Sequence, residues 1–158
     1  LNFEAMRDGM LQVSGELDLT MHGPSQKLHS KPYSKRRAVY GYIDRQNISP
    51  TLSSFDFANP NIHAPQRVET TVPQQALFAF NHPFVIERST TLAKKAFDSK
   101  SAKPSSQVEF LYRQILSRNP RKNESKLAVE FIGNDAKLAN LEDLAQTLLV
   151  SNEFFFTD

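Results

Sequence analysis

Two prolines, Pro73 and Pro83, stand ten residues apart in the run Thr71-Val72-Pro73-Gln74-Gln75-Ala76-Leu77-Phe78-Ala79-Phe80-Asn81-His82-Pro83-Phe84-Val85. Proline has no N–H to give and its φ sits near the helical value, so it fits the first turn of a helix and no later one. The spacing therefore predicts one helix opening at Pro73, with Thr71 as its N-cap. That helix ends near Asn81, because Pro83 pushes His82 out of helical geometry. A second helix opens at Pro83 and carries Phe84, Val85, Arg88, Leu92 and Ala96 on one side. The alternative is a single helix kinked at Pro83. Within the first helix, Ala76, Leu77 and Phe80 are expected to face inward.

Downstream the pattern stays helical. Ser106 to Glu109 reads as a capping box opening a helix with Val108, Leu111, Tyr112 and Ile115 on one face. Asn123 is expected to cap the next, with Leu127, Ala128 and Phe131 inward and Gly133 as its stop. Asn140 is expected to cap the last, with Leu141, Leu144, Ala145 and Leu148 inward; Leu116, Leu149, Phe154 and Phe155 widen these faces. Asp98 to Pro104 reads as a Ser/Lys linker. Upstream, Asn2 caps a helix in which Phe3, Met6, Met10, Val13 and Leu17 recur at three- and four-residue steps, ending at Gly15 or in the Asp18-Leu19 region.

Between these helical stretches the chain is irregular. Thr20 to Lys35 is a loop, with turns at His22-Gly23-Pro24-Ser25 and Lys31-Pro32-Tyr33. Ala38 to Asp44 has strand-like content but no partner a short turn away. It pairs with a distant or external strand, or else it is a buried extended segment or a helix. Gln46 to Gln66 reads as a long ordered loop tethered by Leu52, Phe55, Phe57 and Ile62. The expected fold is mainly α: an irregular helical bundle with a long ordered loop region and at most one or two short strands. Residues 1–158 are read as a single domain, residues 1–70 being helix plus extended loop and 71–158 helical.

Composition narrows the functional classes. The 158 residues include no cysteine, which removes disulfides, thiolate metal sites and covalent c-type haem from this stretch. Net charge is +2 with mixed signs, too near neutral to argue for nucleic acid. No apolar run approaches the ~18 residues that cross a bilayer, so no membrane insertion is expected. The chain opens on Leu1 and shows no signal peptide, which reads as a C-terminal segment of a larger protein. His22, His29, His63 and His82 show no metal-binding spacing, so no metal and no cofactor are expected. No phosphate loop, GxSxG elbow or nucleophilic cysteine occurs, and no catalytic residue is assigned. Lys27, Lys31, Lys35, Arg36 and Arg37 form a basic cluster near Tyr33 and Tyr40. That mixture suits a phosphate- or base-stacking surface, or simply a solvated loop. Asp44 and Asp56 could act as paired carboxylates on a glycoside. The simpler reading is that they neutralise Arg36, Arg37 and Arg45.

A set of ordered motifs adds to this. Lys35-Arg36-Arg37-Ala38-Val39-Tyr40, Phe55-Asp56 with Asn59-Pro60, the Thr71–Leu77 and Asn81–Val85 runs, and Leu148-Leu149-Val150-Ser151-Asn152-Glu153-Phe154 occur in that sequence. Together they resemble planctomycete-specific domain one, a C-terminal domain of unknown function in large planctomycete-type bacterial proteins. Its relatives often carry cytochrome-c-like domains elsewhere in the polypeptide. The resemblance implies an exported, periplasmic or cell-envelope protein, connected with polysaccharide breakdown or electron transfer, and assigns no reaction. Phe110-Leu111-Tyr112-Arg113 through Leu116-Ser117-Arg118-Asn119-Pro120 to Phe154 is also similar to a small helical module of bacterial surface proteins, which usually has Gly where Ser117 stands.

Two functions follow as expectations. One is a non-catalytic interaction or scaffolding domain, contacting neighbouring domains of the parent protein or binding polysaccharide through Arg36, Arg37, Tyr40, Tyr42, Arg45, Asn47 and Asp56. The other is a contribution of residues to a carbohydrate-active site shared with an upstream domain.

Overall fold

The computed structural model describes residues 2–68, 70–99, 103–133 and 136–156. It is mainly helical, with eight α-helices among those residues. They are α1 (Phe3–Val13), α2 (Pro50–Ser54), α3 (Pro73–Asn81), α4 (Pro83–Phe97), α5 (Pro104–Leu116), α6 (Lys122–Ile132), α7 (Leu138–Leu149) and α8 (Asn152–Phe155). The chain divides into two compact units, Leu1–Ala79 and Phe80–Asp158. No described helix is long and apolar enough to cross a membrane.

The first unit is built on α1. Asn2 caps it by accepting the Ala5 N–H at 3.0 Å, and Phe3, Met6, Met10 and Leu11 are buried along one side. Phe3 meets Phe55 with ring centroids 5.4 Å apart and Phe78 at 5.8 Å, and Phe55 meets Phe78 at 5.4 Å. Such tilted and edge-on pairs suit the ring quadrupoles. This triad ties helices that are far apart in the chain. It also corrects the expected face of α3. Leu77 and Phe80 are exposed, at 61% and 58%, while Ala79 is buried and Phe78 joins the cluster. The Ala76–Phe80 run is apolar all round, so periodicity alone could not choose its inward side.

The strand-like segment is not a strand. Ala38–Tyr40 is a 3₁₀ turn, followed by extended backbone at Gly41. Isolated parallel bridges link Asp18 with Arg36 and Gln26 with Gly41. Tyr40 and Tyr42 thus satisfy their backbone groups against the distant Gln26, whose N–H donates to Tyr40 O at 2.8 Å and whose O accepts from Tyr42 N at 2.9 Å. The long loop contains the short helix α2. Leu52 and Phe55 anchor it in the core, whereas Ile62, expected as a tether, is 67% exposed.

In the second unit α4 and α7 form the principal helix pair, with Val85, Leu92, Ala93 and Ala96 packed among buried Leu141, Ala145 and Leu149. The alanines let the two backbones approach closely. The break expected at Pro83 is present: α3 ends at Asn81, and His82 caps α4 with Nδ1 accepting the Phe84 N–H at 3.2 Å. Three expected caps are displaced. Lys103, Arg121 and Lys137 hold the N-cap positions of α5, α6 and α7, so Ser106, Asn123 and Asn140 lie inside their helices. Asn140 instead donates to Ile132 O at 3.2 Å. On α6, Ala128 and Ile132 are buried, but Leu127 and Phe131 are exposed at 66% and 55%, contrary to expectation. The buried strip of α6 is rotated away from them, toward the Ala128–Ile132 pair one turn apart. The linker expected at Asp98 to Pro104 lies partly outside the described residues.

Arg118 joins α5, α6 and α8. Its guanidinium donates to both oxygens of Glu124 at 2.8 Å and to both of Glu153 at 2.5 and 2.7 Å. Hydrogen bonding from Arg118, and then from the Arg121 N–H, holds Glu124 down to about 2; Arg118 likewise lowers Glu153. In the unfolded chain these groups titrate near ~4.3. The stability they add is therefore complete above that value and fades as pH falls through the folded-state values. Arg118→Ala should lower stability by about 1 kcal/mol at neutral pH, small because the cluster is partly solvated. Thermal melts of variant and parent should converge as the pH approaches 2. At the end of α5, Ser117 sits in the left-handed region at φ 56°, where a Cβ is strained. Ser117→Gly should raise the denaturation midpoint, with a gain of about 0.5–1 kcal/mol.

Candidate functional site: a loop-built groove in the first unit

The irregular half of the first unit has no sheet to occupy its carbonyls, and two buried arginines take over part of that role. Arg7 on α1 is 1% exposed; its guanidinium donates to Arg36 O at 2.8 Å and to Ser34 O, and it pairs with Asp8 at 2.9 Å. Asp8 in turn accepts the Ala38 N–H at 2.9 Å on both oxygens. Arg36, 7% exposed, donates to Thr20 O at 2.9 Å and to His22 O, and stacks on Tyr40 at 4.0 Å. Tyr40 Oη accepts the His22 N–H at 3.0 Å. Helix, turn and loop are thereby clamped by a guanidinium fork that can serve two carbonyls at once.

This clamp decides where the expected ligand-binding residues go. Arg36 and Tyr40 are structural, bound to their own chain. Arg37 is exposed and lines one open groove of about 480 Å³ with Asn2, Glu4, Asp8, Val39 and Ile43. Tyr42 and Asn47 line a second groove of about 390 Å³ with Lys27, His29, Ser30 and Asp44. Its floor is apolar, formed by Leu28, Ile43 and Leu52. Arg45 is exposed beside Asp44 in the chain, and its carbonyl accepts from Asn61 Nδ2 at 3.0 Å.

Asp56 has φ 55° and clasps Thr70, accepting its N–H at 2.7 Å and its hydroxyl at 2.8 and 2.9 Å. Asp44 accepts the Gln46 N–H at 2.9 Å in an Asx turn. Among the described residues neither carboxylate pairs with Arg36, Arg37 or Arg45, so the expected neutralising pairs are not formed. Local turn chemistry claims Asp44 through Gln46, and Thr70, fourteen residues on, claims Asp56. The structure therefore brings together Tyr42 and Asn47, with Asp44, and separates them from Arg36, Tyr40 and Asp56. Sequence reasoning placed Lys27 in the basic cluster and weighed His29 only as a metal ligand; it missed Ser30 and did not see that all three reach the Tyr42 groove from a segment twelve and more residues upstream. Only the Gln26–Gly41 bridge sets that register, and no local signal announced it. Among the described residues no group of His, Asp or Glu is placed to hold a metal ion.

Fold and site together define a mainly helical chain whose first unit, braced by buried arginines, carries open grooves of mixed polar and apolar lining. The chain belongs to the family described as protein of unknown function DUF1553, or PSD1, whose model matches residues 1–132. The match ends on the last residue of α6, so the Leu148–Phe154 motif that supported the resemblance lies beyond it. Comparisons with curated proteins and with solved structures found no match.

Two substitutions test the framework that holds the grooves. A Cβ on Gly41 would come within 2.5 Å of Leu28 Cδ1 and 3.0 Å of Ala38 O. Gly41→Ala should cost about 1–3 kcal/mol in a urea unfolding curve, as overpacking does. Arg36→Lys keeps the charge but loses the planar fork, and should cost about 2 kcal/mol by the same measurement.

Proposed function

We propose that the chain is a non-catalytic interaction domain of a larger exported bacterial protein, and that the Tyr42–Asn47 groove binds polysaccharide. The observation that carries this reading is Tyr42 itself, an aromatic ring left 53% exposed on the edge of a groove with polar walls. Exposed aromatics with one apolar face and a polar tip suit ligands that are apolar on one side and wet on the other. A sugar ring has that character, with C–H groups on its faces and hydroxyls around its rim. Asp44 can accept from such hydroxyls, while Asn47 and Ser30 can both donate and accept. The groove's open form suits a long chain passing over the surface better than a small molecule enclosed in a pocket.

Neighbouring domains of the parent protein are the second class of partner. Leu127 and Phe131, one helical turn apart on α6 and both exposed, support that reading, since interfaces are enriched in such apolar groups. A shared carbohydrate-active site finds less support. Asp56, the residue it would lean on, already has both oxygens occupied by Thr70.

Affinity electrophoresis of the chain through gels containing soluble polysaccharides tests the binding reading. Retardation by at least one polysaccharide is expected, and Tyr42→Ala should weaken it about tenfold, as loss of a central aromatic contact does. Its circular dichroism should be unchanged. A parent protein that migrates unretarded through every gel would refute the proposal.

A further inference from the structure

Resting on the polysaccharide reading of the same groove, we propose that its ligand is an anionic polysaccharide, one bearing carboxylate or sulfate groups. The charges of the first unit are unevenly engaged. Each carboxylate described there is engaged by its own chain. Glu4 pairs with Arg67, Asp8 with Arg7 and Glu16 with Lys35, while Asp18, Asp44 and Asp56 accept from Thr20, Gln46 and Thr70. The other cations are similarly engaged, Arg36 by its carbonyls and Tyr40, Lys31 by the Tyr33 ring 5.9 Å away, and Arg7, Lys35 and Arg67 by carboxylates.

Lys27, Arg37 and Arg45 remain. All three are exposed, and none forms an ion pair among the described residues. Lys27 lines the groove together with Asp44 and Asn47, Arg45 follows Asp44 directly in the chain, and Arg37 lines the neighbouring groove, whose acids Glu4 and Asp8 are paired with Arg67 and Arg7. Between Thr20 and Ile43 the chain contains no acidic residue at all. The single acid in the groove lining, Asp44, has its charge partly satisfied by the Gln46 N–H. The surface around Tyr42 is thus a cationic border to an aromatic platform. A ligand with regularly spaced negative groups meets Lys27 and Arg45 there against the single groove carboxylate, Asp44, and its attraction must weaken as salt screens it.

A polyanion of another kind, single-stranded nucleic acid, would use the same charges but needs successive aromatic platforms for its bases. Tyr40 is covered by Arg36 and the His29 ring packs against Phe3 at 5.4 Å, which leaves Tyr42 as the outward platform among the described groove residues. A polysaccharide, needing only one stacked ring, fits better.

The test runs the full chain through gels containing alginate, chondroitin sulfate, or neutral dextran and xylan, with single-stranded DNA in parallel. Retardation by the anionic polysaccharides is expected, falling at least tenfold between about 0.05 and 0.5 M NaCl as the screening length shrinks. Lys27→Ala and Arg45→Ala, both exposed positions, should each weaken it several-fold, while Lys126→Ala on α6 should leave it unchanged. Retardation by dextran or xylan alone, or by all polysaccharides equally at high salt, would overturn the anionic assignment and leave the polysaccharide reading standing. Silence in every polysaccharide gel would overturn both. Equal or stronger retention by DNA would overturn the assignment in favour of a general polyanion surface.

Discussion

Buried guanidinium groups tie the irregular segments of the first unit to α1, and no sheet holds those segments among the described residues. A backbone running through a core must find partners for its carbonyls, since an unpaired buried polar group costs as much as a lost hydrogen bond. Helices do this internally and sheets do it between strands. Here Arg7 reaches from α1 to the carbonyls of Ser34 and Arg36, and Arg36 reaches on to Thr20 and His22. The two residues form a chain of clamps in which the peptide held by one carries the side chain that acts as the next. Removing either guanidinium would take the donor from two carbonyls at once.

The second unit works differently. Its helices satisfy their own backbones and are held by side-chain packing, with Ala93, Ala96 and Ala145 buried on the paired helices α4 and α7. Arginine appears there as a surface clasp: Arg118 draws Glu124 and Glu153 together and rests 5.5 Å from the ring of Tyr112. That guanidinium is partly solvated, so its contribution is modest and sensitive to acid, unlike the sequestered forks of the first unit.

The grooves follow from the clamped architecture. Because Arg36 and Tyr40 are engaged with each other and with the loop, the segment after them emerges extended and presents Tyr42 outward. Turn chemistry then fixes Asp44 through Gln46 and starts α2 at Pro50, which sets the far wall. The near wall, Lys27 to Ser30, arrives by the Gln26–Gly41 bridge. Close backbone approach there requires glycine at position 41, where a methyl group would collide with Leu28.

The sequence by itself determined the helical class, the start of α3 at Pro73, the break at His82, the Asn2 cap and the stop at Gly133, because proline, capping side chains and glycine act on the backbone within a few residues. It could also single out Tyr42 and Asn47, since aromatic and amide side chains in irregular segments stand out locally. What only the tertiary structure decided was which side of an ambiguous helix faces inward and which charges are already occupied. Phe78 rather than Leu77 turns in because Phe3 and Phe55 are there to receive it. Arg36 is a clamp and Arg37 a surface cation because two carbonyls sixteen and fourteen residues away lie within reach of one guanidinium and not the other. Such choices depend on partners distant in the chain, and periodicity in one segment carries no information about them.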